Sequence, residues 1–322
     1  MITDRVERLR KESLNAVPRI SMERAQVVDR VYKLYEGKVS IPVLRALVLK
    51  EFMSTKKLCI NKGELIVGER GEEPASTPTY PELCCHTITD MEIMNRRENI
   101  SFKVKDEDIK IQKDVIIPFW EKRSIRHKIL ENMTEEWKAC YKAGIFTEFM
   151  EQRGPGHTVC DDKIYKKGFL DFKKDIDESI KSLDFNEDNE ALDKKNQLEA
   201  MSIACDAIMI LGKRYSEYAK ELAEKETDLV AKEELLEISK VCSHVPANAP
   251  RNFREALQMY WFVHLCVISE LNPWDAYNPG RLDQHLNPFY EREIEEGTLT
   301  HDEAEELLQC FWIKFNNQPA PP

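Results

Sequence analysis

Residues 256–268, ALQMYWFVHLCVI, are apolar on nearly every side of a helix. A helix without a polar face has to be surrounded by protein, and this run is too short to cross a bilayer. The spacing therefore predicts a central buried helix, wrapped by other elements in a chain large enough to supply them. The 322 residues, 42% of them hydrophobic, can bury such a core. Directly after this helix comes LNPWDAYNPGRLDQHLNPFY, residues 271–290. Its Pro and Gly punctuation breaks regular structure, so it reads as a site loop held by a buried scaffold.

Amphipathic helices are available for the wrapping. Ser21 is placed to cap a helix carrying Ala25, Val28, Val31, Tyr32 and Tyr35, which stops at Gly37. A second follows Ser40, with Pro42 in its first turn and Leu44, Leu47, Val48 and Phe52 on one side. Residues 58–60 and 64–67 flank Asn61-Lys62-Gly63 as a short hairpin. Pro74, Pro78 and Pro81 suggest an irregular, functional loop from 71 to about 81. The pattern is helical again from 105 to 141, with Trp120 and Trp137 as core anchors. From 168 to 242 it is helical and charged, with Leu198, Met201, Ile208, Met209, Leu211 and Tyr215 inward and a turn at 184–190. Thr300 and Glu303 form a capping box for a last helix with Ala304, Leu307, Leu308, Phe311, Trp312 and Phe315 on its apolar stripe. The sequence then runs out through residues 316–322 with no closing element, and reads as the first part of a longer protein.

A net charge of −11 argues against nucleic acid or an anionic membrane surface as partner, since both reward clustered Lys and Arg. No apolar segment follows the charged start, so a cytoplasmic location is expected. The nine cysteines are scattered and odd in number, which suits reduced thiols. Cys84-Cys85-His86 invites a zinc reading, but adjacent cysteines do not have the spacing of a structural zinc site, and no metal is expected.

Two loops set ionisable side chains among turn formers. Asp275, between Trp274 and Ala276, could hold a hydroxyl or ammonium group, or could simply cap a turn. His157, after Gly156, could exchange a proton near neutral pH or make a loop hydrogen bond. Phe149 is a pocket wall or core. Arg281 and Asp283 read as a structural ion pair, with a carboxylate clamp as the alternative for Arg281. His264 and His285 read as packing histidines.

Taken together, Gly63-Glu64-Leu65-Ile66-Val67-Gly68-Glu69, Gly156-His157-Thr158, Glu255-Ala256-Leu257-Gln258, Gly280-Arg281-Leu282-Asp283-Gln284 and Pro288-Phe289-Tyr290 resemble the glycyl radical enzymes of the pyruvate formate-lyase superfamily over essentially the whole chain. Residues 146–153, 164–170 and 274–276 resemble its hydroxyproline dehydratase branch. The resemblance implies an α/β fold, mostly helical in these residues, forming the N-terminal part of a ten-stranded α/β barrel across 1–322. It implies a lyase that eliminates water from a hydroxylated amino acid, with His157 and Asp275 catalytic and Phe149, His157 and Asp275 against the substrate. It also implies a radical-SAM activating enzyme and a homodimer as partners. The Gly-Cys-x-Glu and Arg-Val-x-Gly-Tyr loops that carry the family's cysteine and glycyl radical do not occur here. The expectation is therefore a portion that binds no cofactor, with the radical Cys and Gly outside this chain, and that is inactive alone. Formate acetyl transfer, diol dehydration and a non-catalytic helical module are the competing expectations.

Overall fold

The protein, a computed structural model describing residues 2–146, 160–271 and 278–320, is wound around the helix Phe253–Glu270. Only Arg254, Val267 and Glu270 of that helix keep partial exposure. The helices Ile41–Thr55, Ala191–Lys225, Leu229–His244, Leu282–Glu296 and His301–Asn316 pack against it, as the apolar sequence requires. The 35-residue helix Ala191–Lys225 is a scaffold of its own, carrying Ile41–Thr55, Phe169–Lys181 and Leu229–His244 along its length. A Cβ at Gly212 would stand 2.4 Å from Pro246 Cδ, so a glycine is what lets the chain pass so close. Asp4–Asn15 lies on the last helix, and the capping box of Thr300 and Glu303 forms there as read from the sequence.

Among the described residues the β structure is one parallel pair, β1 (Arg19–Ser21) with β2 (Ser76–Pro78). A parallel bridge between Arg19 and Lys103 extends the pairing, through bonds from Ile20 N to Lys103 O at 3.0 Å and from Lys103 N to Pro18 O at 2.8 Å. This corrects two expectations. Ser21 is a strand residue and Met22 occupies the cap position of the helix Glu23–Tyr35. Residues 71–81 are not wholly irregular, because Pro78 falls at the end of β2, where a missing N–H breaks no interior ladder bond.

The hairpin expected around residue 62 does not form. Asn61 and Glu64 do make a turn, with Gly63 at φ +77°, but the backbone beyond it is met by side chains in place of a second strand. Arg254 donates to Leu65 O at 3.0 Å. The Gln258 amide accepts from Val67 N and donates to Val67 O, both at 2.9 Å, and Trp261 Nε1 donates to Gly68 O at 2.9 Å. Glu69 N donates to Tyr215 Oη at 3.3 Å, Arg70 N to Gln318 Oε1 at 3.2 Å, and the buried Lys56 ammonium to Glu69 O at 2.9 Å. The segment is threaded through the core, and each peptide group buried there needs a partner. Gly68 has φ +128°, and a Cβ on it would meet Leu265 Cδ1 at 2.5 Å.

The same segment carries a buried ion cluster. Lys314 donates to Glu64 Oε1 at 2.8 Å and to Glu69, and Asn317 and Gln318 donate to Glu69 as well. Residues 317 and 318 are therefore buried, not turned outward as the composition of the tail suggests. Further expectations fail on the outer face, where Tyr35 and Trp312 of the expected apolar stripes are exposed too. Trp137 is 56% exposed and Met201 53% exposed, because the helices Glu135–Lys142 and Ala191–Lys225 present those sides to solvent; Trp120 is buried as read. No helix among the described residues is long and apolar enough to cross a membrane.

His264 is a packing histidine. It stacks on Trp261 at 5.3 Å, touches Phe315, and meets Tyr260 Oη at 3.2 Å through Nδ1. Burial, aided by the charge of Arg70, pulls its imidazole down to about 3. The unfolded chain takes up a proton near pH 6.5 that the folded imidazole refuses until about pH 3. Stability therefore rises with pH across that window and is lost as pH falls. By pH 5 the loss is roughly 2 kcal/mol relative to neutral pH. Urea unfolding of His264→Phe between pH 7.5 and 5 should show a pH slope smaller by that amount; an unchanged slope would place the acid sensitivity elsewhere.

Candidate functional site

Phe149, His157 and Asp275 lie outside the described residues. What the structure describes is where the two loops carrying them attach. The first rejoins the body at Cys160–Tyr165, the second at Asn278–Arg281, and these two returns are neighbours. Asp161 Oδ1 lies 3.3 Å from His285 Nε2, and the Tyr165 ring stacks on the His285 imidazole at 5.2 Å and 21°. Between them is a cleft of about 690 Å³, lined by Asp161, Tyr165, Lys166, Gly280, Arg281 and His285.

Local chemistry explains the shape of both returns. Cys160 and Asp161 have φ of +59° and +47°, two successive non-glycine residues in the left-handed region, a conformation that surrounding structure must enforce. On the other side Asn278 Oδ1 accepts from Gly280 N at 2.8 Å, and Gly280 at φ +62° turns the chain into the helix Leu282–Glu296. Burial pushes the Tyr165 phenol up, and among the described residues its hydroxyl has no hydrogen-bond partner. His285 is thus a packing histidine against Tyr165, as expected. Arg281 does not pair with Asp283; it reaches Gln284 Oε1 at 3.4 Å across an exposed helix start.

The second loop leaves from the end of the central helix, and that end is held by buried charges that the sequence reading missed. Arg24 grips Glu82 with Nη1 at 3.2 Å and Nη2 at 2.5 Å, while Arg45 Nε donates to Glu270 Oε1 at 2.6 Å. Burial alone would raise the Glu82 carboxyl, but the two guanidiniums more than offset it and hold it below the usual range. Burial keeps Glu270 raised despite the same neighbours. The available signal was a lone Glu270 at the end of an otherwise apolar helix.

The other cluster singled out, Cys84-Cys85-His86, is tied into protein contacts. Arg126 reaches Cys84 Sγ at 3.2 Å, Gln112 donates to His86 O at 2.6 Å, and burial lowers the His86 imidazole. Among the described residues no group of three or more His, Cys, Asp or Glu side chains is placed to hold a metal ion.

The described residues form a mostly helical body wound around one buried helix, with two chain returns that meet at one cleft. The chain belongs to the pyruvate formate lyase-like family, which it matches over residues 2–322. Among its relatives, trans-4-hydroxy-L-proline dehydratase of Clostridioides difficile is 60% identical over 319 residues, 99% of this chain and 40% of that protein. The crystal structure of hydroxyproline dehydratase from the same organism, with trans-4-hydroxy-L-proline bound, superposes with a TM-score of 0.95 at 59% identity, covering 100% of this chain and 41% of that one. Isethionate sulfite-lyase of Nitratidesulfovibrio vulgaris is 33% identical over 93% of this chain and 37% of its own length. The glycerol-bound, B12-independent glycerol dehydratase of Clostridium butyricum superposes with a TM-score of 0.89 at 30% identity, covering 98% of this chain and 40% of that one. The chain thus spans about 40% of the length of the relatives it matches.

Proposed function

We propose that these residues are the N-terminal portion of a glycyl radical lyase that eliminates water from trans-4-hydroxy-L-proline to give a pyrroline carboxylate. The observation that carries the reading is 60% identity across 99% of the chain to a trans-4-hydroxy-L-proline dehydratase. The adjacency of the two loop returns supports it further, since a shared pocket for His157 and Asp275 needs both loops at one place.

In this reading the hydrogen-atom chemistry comes from a glycyl radical and a cysteine carried outside these residues, the radical installed by a radical-SAM activating enzyme. The residues of this chain bind and orient. Asp275 holds the ring ammonium, a role that suits a carboxylate and would disfavour an α-keto acid. His157 hydrogen-bonds the departing hydroxyl and supplies its proton, so that the group leaves as water. Phe149 keeps solvent out of the pocket. A homodimer in the cytoplasm is part of the same proposal.

The test uses the complete open reading frame, activated anaerobically. Trans-4-hydroxy-L-proline should be consumed with formation of the pyrroline carboxylate, while glycerol, propane-1,2-diol, and pyruvate with coenzyme A should not turn over. Residues 1–322 alone should be inert under the same conditions. Turnover of a diol or of pyruvate in place of the proline would replace this reading by another reaction of the superfamily.

A further inference from the structure

The helix Phe253–Glu270 ends without a glycine. Leu271 takes the C-cap position, and its N–H donates to Val267 O at 2.8 Å. That leaves the carbonyls of Ile268, Ser269 and Glu270 without partners inside the helix. Each is met by a side chain from a different part of the fold. Tyr80 Oη donates to Ile268 O at 2.6 Å, Arg24 Nε to Ser269 O at 2.6 Å, and Arg45 Nη2 to Glu270 O at 3.0 Å. The three donors also hold one another. The Arg24 guanidinium sits 4.0 Å above the Tyr80 ring, and Glu82 accepts from both arginines, from Arg45 at 3.4 Å. Arg24, Tyr80 and Glu82 are all fully or almost fully buried.

Stability alone does not require such a cluster, because well-packed apolar residues serve as well in place of a buried ion network. What charges and forked hydrogen bonds add is a fixed position. Two guanidiniums face the negative end of the helix dipole, and their planar forks set the height and direction of its last turn. The helix Leu282–Glu296 ends by contrast on a local left-handed glycine, Gly297.

We infer that Arg24, Arg45 and Tyr80 are positioning residues, which fix the point where the chain leaves the central helix for the loop that contains Asp275. The inference rests on the function proposed above for that loop. It assigns these side chains no contact with substrate; they act through the backbone at 268–270.

Two variants of the full-length enzyme test it. Tyr80→Phe removes only the hydroxyl and keeps the ring under Arg24. Arg45→Lys keeps the charge but loses the paired grip on the Glu270 carboxylate and carbonyl. Arg30→Gln, which breaks an exposed pair with Glu51, is the control. Each clamp variant should fold, show faster amide exchange confined to residues 268–271, and lose about tenfold in kcat, because small misplacement of a binding group weakens catalysis sharply. The control should show neither change. A thermal midpoint that drops while kcat and the exchange of 268–271 stay at the wild-type level would make the cluster merely structural and overturn the inference. The exchange measurement does not depend on the substrate. If the wild-type enzyme does not act on trans-4-hydroxy-L-proline but the last turn still loosens in both variants, the positioning role stands and the substrate assignment falls.

Discussion

Replacing Lys314 with methionine is expected to destabilise the fold by about 3–5 kcal/mol, the usual consequence of stripping one partner from a buried ion cluster. Lys314 is 2% exposed and is the cation shared by Glu64 and Glu69, both nearly as buried. Burial would depress its ammonium, but the two carboxylates outweigh that and raise it. Without it, the donors left around them are neutral: the amides of Asn61, Asn317 and Gln318. One carboxylate would then have to take a proton or drag water inward. The diagnostic is the rescue. Adding Glu64→Gln and Glu69→Gln to Lys314→Met should recover most of the loss in urea unfolding, because neutral amides keep the shape and need no cation. A single Lys314→Met variant that unfolds within ~1 kcal/mol of wild type would mean that the cluster is already neutralised by some other route.

This cluster also shows where the sequence was legible and where it was not. Helices whose apolar residues recur with the helical period could be read directly, as could the capping box at Thr300 and the central helix that is apolar on nearly every side, because periodicity, capping and an unbroken apolar run are all local. The motif 63–69 could be recognised but not explained from sequence. Its glutamates face a lysine some 250 positions away, its Gly68 is required by Trp261 and Leu265, and its backbone is satisfied by Gln258. The misassigned hairpin arose from that same non-local pairing, since a strand-like composition says nothing about whether the partner is a strand or a side chain. Trp137 and Met201 were assigned inward by residue type, but which side of a helix faces the core depends on neighbours that no local window contains. At the site, the Gly and Pro residues marked two segments, of which the structure describes the returns at 160–165 and 278–281. The clamp at the end of the central helix was not legible, because Arg24, Arg45, Tyr80, Glu82 and Glu270 come from four separate stretches of chain and each looks like an ordinary surface charge or core ring.

The second large effect concerns the loops themselves. In the full-length enzyme, His157→Gln should lower kcat by about 10²–10⁴, the range set by loss of a positioned proton donor. Asp275→Asn keeps the size of the side chain but removes its charge, so it should lower kcat through poorer orientation as well as raise KM for a substrate bearing an ammonium group. The double variant decides whether the two act on one molecule. Residues serving a common substrate are non-additive, so the combined loss in kcat/KM should fall short of the product of the two single losses. Independent sites would multiply. The returns of both loops meet at the Asp161–His285 contact beside one cleft, and this adjacency is the physical reason to expect coupling. Full multiplicativity, or wild-type kcat/KM in both single variants, would show that nearness of the loop roots does not carry through to a shared pocket.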